Sequence, residues 1–156
     1  MKKKEIYGYL IGILVPEVVG LFSQLFSGAG TDFYDTLNRP AFSPPGWVFP
    51  VVWTLLYALM GAASYRIYRS DSPYRTGALA LYGAQLAVNF LWPIVFFRLE
   101  AIGAAVAVLV MLNILIFLTI LQFAKIDRTA AWMMLPYLLW SLFALYLNLG
   151  VFALNG

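Results

Sequence analysis

Charged residues punctuate the chain at wide intervals and leave five long apolar stretches between them. Each is near or above the ~20 residues that an α-helix needs to cross a bilayer at about 1.5 Å per residue. The pattern predicts helices over about 6–27, 47–65, 76–97, 101–124 and 129–152. The expected fold class is all-α: a polytopic membrane protein, one domain over 1–156, built as a bundle of five transmembrane helices. A long first loop, 28–46, can fold over the bundle as a lid, with Gly28 and Gly30 as flexible points at its start. MKKK before the first stretch imitates the basic start of a signal peptide. The apolar run outlasts a signal core, however, and no small-x-small cleavage site ends it, so the first span is expected to be retained. Five spans do not divide into equal halves, which argues against an inverted-repeat transporter.

Finer periodicities sit inside these spans. Pro44 and Pro45 fix φ and lack N–H donors, which suits an approach to a helix start with Ser43 as N-cap. After them Trp53, Tyr57, Met60, Gly61, Ser64 and Tyr65 recur at helical steps and form an aromatic and small stripe suited to something flat and apolar. In the third span Gln85, Asn89, Trp92 and Phe96 share one face, readable as a pocket wall or as interhelical hydrogen bonding. Tyr137, Trp140, Ala144 and Asn148 repeat the theme in the fifth, readable as a pocket or as bundle packing with an interfacial aromatic belt. Three helices thus each offer a tryptophan within a polar or small stripe, which favours a pocket for a small molecule. The fourth span, with only Asn113 and Thr119 as interior polar groups, reads as support.

Two faces read as packing surfaces. Gly8, Gly12, Pro16 and Gly20 recur every four residues and predict a close approach of the first helix to a neighbour. Ala80, Gly83, Ala84 and Ala87 lie opposite the polar face of the third helix and predict a homodimer interface. Glu17 is the one acid well inside an apolar stretch; it must face protein, water or a partner, either as a proton or ligand contact or as a bundle hydrogen bond.

Composition narrows the chemistry. Residues are 63% hydrophobic and 11% charged, far from a soluble globule. With neither Cys nor His, disulfides, thiolate catalysis, the commonest zinc and haem ligands and the usual neutral-pH base are excluded, so no metal site and no required cofactor are expected. A net charge of +3 with scattered carriers gives no nucleic-acid surface. Lys2, Lys3, Lys4, Arg66, Arg69, Arg75, Lys125 and Arg128 fall on one side of the five spans, and only Arg39 and Arg98 on the other. By the positive-inside rule the N-terminus is cytoplasmic and the C-terminus and lid lie outside.

FYDTLNRPAFSPPGWVFPVVWTLLYALMGAASY, QLAVNFLWPIVFF and LPYLLWSLFALYLN resemble, in order and spacing, three blocks of the TspO/MBR family of tryptophan-rich sensory and translocator membrane proteins. The resemblance implies a five-helix pocket for tetrapyrroles such as protoporphyrin IX and for benzodiazepine-like drugs, serving sensing, transport or sequestration in, most simply, a bacterial cell membrane. It places Tyr34 in the lid and Pro44, Pro45, Trp53, Asn89, Trp92, Trp140, Ala144 and Asn148 in the pocket. The cholesterol-recognition pattern of animal members needs a basic residue near the end of the last helix, and nothing after Arg128 is charged. Two alternatives remain: light- and oxygen-dependent breakdown of porphyrin with Trp53 or Trp140 as electron donor, and a structural partner protein without ligand.

Overall fold

The computed structural model describes residues 1–28 and 31–156. In chain order it has α1 (Lys3–Phe26), a short α2 (Thr31–Thr36), α3 (Val48–Tyr68), α4 (Arg75–Pro93) running on through a π-helical turn (Ile94–Arg98), α5 (Ile102–Ile126) and α6 (Arg128–Asn155). Among the described residues five helices are long and apolar enough to cross a membrane. Among the described residues there is no strand.

The distribution of side chains is that of a protein whose solvent is lipid. Leu10, Leu14, Leu21 and Leu25 of α1 and Leu139, Leu142 and Leu149 of α6 point outward, while Gln85, Asn89, Asn113, Ser141 and Asn148 are buried. In hydrocarbon a polar group must find its partner inside the bundle, so the amides turn in and the leucines turn out. Met60, Ile67, Leu109, Leu112, Ile116, Phe123 and Met134, from α3, α5 and α6, fill the centre.

α1 packs mainly on α3, and the glycine repeat makes this possible. Gly8 lies on the Tyr65 ring and Gly20 on the Tyr57 ring, while a Cβ at Gly12 would come within 2.8 Å of the Gly61 carbonyl oxygen. The close approach expected of the first helix is therefore present. Tyr57, Gly61 and Tyr65 of the α3 stripe consequently serve packing against α1, Met60 lies in the core, and Trp53 packs at its edge.

Three expectations need correction. Ser43 does not cap α3: Trp47 is the capping residue, without a side-chain bond, and the Ser43 hydroxyl instead donates to Pro40 O at 2.7 Å. The lid is not a plain loop, because it carries α2. The third span is not one continuous α-helix, because Pro93 is followed by the π turn, closed by Leu99 N–H to Ile94 O at 3.0 Å. That wider turn changes the helix phase beyond Pro93; Phe96 is buried and faces the lid, as its place on the Gln85–Asn89–Trp92 face predicts. Gly28, at the start of the lid, has φ +86°, a conformation that favours glycine; Gly30 lies outside the described residues.

Candidate functional site

The lid is bound to the bundle at several points. Phe33 of α2 meets Phe96 edge-on at 5.7 Å, and Tyr34 meets Phe49 at 5.4 Å. Tyr34 is buried, donates its hydroxyl to Pro44 O at 3.0 Å, and carries the Arg39 guanidinium 4.6 Å from its ring centre. At the end of α6, Asn155 closes a two-bond clasp on Asn38: Asn38 N–H donates to Asn155 Oδ1 at 3.0 Å, and Asn155 Nδ2 donates to Asn38 O at 2.7 Å. The Tyr146 hydroxyl donates to Ala41 O at 2.8 Å, and Pro40 fills the notch left by Gly150.

Beneath the lid is a narrow, almost wholly apolar cleft walled by Tyr34, Phe49, Trp92, Phe96, Phe97, Ala144, Leu147, Asn148 and Val151. Its free volume is about 30 Å³, room for roughly one water. One hydrogen-bonded pair orients its wall: Trp92 Nε1 donates to Asn148 Oδ1 at 2.9 Å, and Asn148 Nδ2 donates to Ile102 O at 3.1 Å. The indole plane is thereby fixed across α4 and α6.

Toward the bundle centre lies a polar knot. The Tyr57 hydroxyl donates to Asn89 Oδ1 at 2.8 Å, Asn89 Nδ2 donates to the Tyr137 oxygen at 2.7 Å, and the Tyr137 hydroxyl donates to Gln85 Oε1 at 2.6 Å. All four side chains are buried. Trp53 packs on this knot, 5.7 Å from the Tyr57 ring and 6.0 Å from that of Tyr137. Trp140 stands 6.0 Å from Phe49, and its indole N–H is buried without a partner among the described residues.

The structure thus brings Tyr34, Trp92, Ala144 and Asn148 together around one cleft. Pro44 supplies the carbonyl that holds Tyr34, Pro45 is exposed, Trp140 stands beside the cleft against Phe49, and Trp53 stands against the knot. Asn89 and Tyr137 do not line the cleft; they are bound to each other in the knot. Sequence reasoning missed Phe49, Phe97, Leu147 and Val151. The signal for two of these was present, since Leu147 and Val151 continue the α6 face of Ala144 and Asn148. Phe97 could not be placed without the π turn. Ala80, Gly83, Ala84 and Ala87 are exposed on the far side of α4.

At the opposite end of the bundle charges are paired. Arg66 donates to Asp127 Oδ2 at 2.7 Å and to the Tyr9 oxygen at 3.4 Å, and Arg69 pairs with Glu5 at 3.1 Å. Asp127 also caps α6, accepting from the backbone N–H groups of Thr129 and Ala130. Burial pushes its carboxyl up, but the Arg66 bond and the two capping N–H groups outweigh burial and hold it below the usual carboxylate range. Glu17 is half-buried and takes part in neither ion pair. Among the described residues no cluster of His, Cys, Asp or Glu could hold a metal.

The model of the TspO/MBR family matches residues 12–154. The chain is 40% identical over 124 residues to a "Tryptophan-rich sensory protein" of Cereibacter sphaeroides, covering 80% of this chain and 77% of that one. It is 34% identical over 145 residues to a "Tryptophan-rich protein TspO" of Archaeoglobus fulgidus, covering 92% and 94%. A human "Translocator protein" is 32% identical over 150 residues, covering 93% and 89%.

Proposed function

The chain belongs to the TspO/MBR family and is an integral multi-pass membrane protein, and from that premise we propose that it binds a tetrapyrrole such as protoporphyrin IX, or a drug-like molecule of similar shape, beneath its lid. Sensing, transport or sequestration of that ligand is its role, in keeping with relatives named as a sensory protein and a translocator protein. The observation that carries the reading is the lid-covered cleft itself: aromatic walls from α3, α4 and the π turn, an aliphatic wall and one oriented amide from α6, and a cover held by a few hydrogen bonds. Pockets for flat apolar ligands combine such walls with a few placed polar groups.

With about 30 Å³ free, the cleft is shut. A drug-sized ligand needs several hundred Å³, so binding must swing the lid away, carrying Tyr34 off Phe49 and opening the Asn38–Asn155 clasp. Trp53 and Trp140 then become the broad faces available to a macrocycle, and the unpartnered Trp140 N–H supplies a donor. A second reading, light- and oxygen-dependent breakdown of bound porphyrin, is favoured by the placement of Trp53 against two phenols, which gives an oxidised indole adjacent electron donors.

Titrating protoporphyrin IX into detergent-purified protein in the dark, then under light, separates these readings. Saturable quenching of tryptophan fluorescence in the dark is expected. A new absorbing product formed under light only with protein supports the second reading, and no quenching at all would leave a structural partner protein. The proposed orientation, with the lid outside a bacterial cell membrane, is tested by single cysteines: Ser72→Cys should react with an impermeant reagent only from the cytoplasmic side and Thr36→Cys only from outside, because most Lys and Arg gather at the Ser72 end. The reverse labelling overturns the orientation.

A further inference from the structure

Phe42 sits at the tip of the lid in a backbone conformation that a bulky residue seldom takes, with φ 67°, and its side chain is 88% exposed. The turn that presents it is held on every side. Ser43 Oγ bonds Pro40 O, Tyr146 bonds Ala41 O, and Pro40 is wedged against Gly150. Strained backbone persists only where surrounding contacts impose it, yet here those contacts hold up an aromatic ring that the chain itself does not cover.

We propose that Phe42 is seated in the membrane interface, so that the tip of the lid is docked on the lipid leaflet of its own side. Its neighbours fix both its bearing and its depth. Tyr146 and Leu149, on the α6 face under the tip, are themselves partly exposed and belong to the surface that meets lipid. Gly150, against which Pro40 rests, lies about 27 Å along α6 from the exposed Trp132, close to the ~30 Å thickness of a bilayer's hydrocarbon core. Trp47, 69% exposed at the lid end of α3, lies about 31 Å along that helix from the exposed Tyr68. Along both helices, therefore, the lid-side end lies about one hydrocarbon thickness from an exposed aromatic residue at the far end, and Phe42 stands at that lid-side end, where aromatic rings collect in membrane proteins.

A ring seated there ties movement of the lid to the leaflet. Opening the cleft must lift or slide Phe42 through the headgroup boundary, and a molecule dissolved in that leaflet meets the lid at its tip. A soluble partner or a second copy of the chain would instead bury the ring away from both lipid and water.

The absence of cysteine allows a direct test. Phe42→Cys, Thr36→Cys and Leu139→Cys are each spin-labelled in phosphatidylcholine nanodiscs, and collisions with oxygen and with a water-soluble nickel chelate are compared. The label at 42 is expected to lose nickel accessibility relative to that at 36 and to gain oxygen accessibility, with a depth between 36 and 139. Nickel accessibility equal to that at 36 overturns the proposal in favour of a water-exposed lid. Exclusion of both reagents overturns it in favour of a protein neighbour. Should Phe42→Cys fail to fold, Ala41→Cys, also exposed, reports on the same boundary.

Discussion

Asn89 donates to the Tyr137 oxygen at 2.7 Å while its own oxygen accepts from Tyr57, so one amide joins α3, α4 and α6 at the centre of the bundle. Replacing Asn89 with Leu strands one buried phenol without an acceptor and removes a donor from the other, at about 1 to 3 kcal/mol for an unmet buried group. Asn89→Leu should therefore lower the melting temperature in detergent, while porphyrin affinity at temperatures where the variant remains folded changes little. An unchanged melting temperature with lost affinity would place this amide in the ligand site after all.

The tryptophans should behave differently. Trp140→Ala removes an aromatic face beside Phe49 and strands nothing, since its N–H has no partner among the described residues; it should weaken porphyrin binding by about 1 kcal/mol or more with little loss of stability. Trp53→Ala should weaken binding comparably but also loosen the packing on Tyr57 and Tyr137, a cost that Trp53→Phe should largely recover. Fluorescence-quenching isotherms with parallel melting curves check both. Wild-type affinity in both alanine variants rules out the pocket as described.

These contrasts mark how far the sequence could be read. The five spans were legible because lipid demands unbroken apolar length, and the glycine face of α1 because close packing leaves a fixed spacing. Asn89 and Trp92 were legible as one face, but not as serving two purposes, since a spacing of three says nothing of how far along the bundle axis a partner's hydroxyl lies. The π turn after Pro93 hid Phe97, because a change of helix phase leaves no mark in a periodicity that assumes a constant one. The lid clasp was invisible for a similar reason: Asn38 and Asn155 are brought together only by the folded bundle.

Asp127 gives a pH prediction. Its carboxyl is held below its ordinary value in the folded protein, burial being outweighed by Arg66 and the capping N–H groups. A depressed folded-state value means that the folded state binds the proton less readily than the unfolded one. Its contribution to stability is thus complete above the unfolded carboxylate range near pH 4 and is lost as pH falls through the lower folded value. Asp127→Asn keeps a capping oxygen but removes the charge, and should flatten the fall in melting temperature between about pH 5 and pH 3. Asp127→Ala should lose the cap too, at a further ~0.5 to 2 kcal/mol. An acid limb identical in wild type and Asp127→Asn would assign the acid sensitivity elsewhere.

The outward face of α4 bears on assembly. Gln85, Leu86 and Asn89 commit one side of this helix to the interior, and Ala80, Gly83, Ala84 and Ala87 emerge on the other, exposed. A Cβ added at Gly83 would meet nothing within 4 Å, and beside it a shallow groove of about 480 Å³ runs along Val19, Leu86, Phe90 and Leu91. Lipid chains can fill such a groove, so exposure alone does not decide its occupant. What favours a second helix is smallness over successive turns, because backbones that approach closely gain dispersion contacts where no hydrophobic force acts between helices in lipid. We propose that two copies of the chain meet here. Ala84→Leu, which fills the contact without touching the buried face, should convert a dimer to a monomer in detergent, as read by light scattering, and leave porphyrin affinity near wild type. A dimer that survives this change moves the interface to another face. Loss of porphyrin affinity along with the dimer would instead mean that the cleft depends on a neighbouring copy to hold α4 in place.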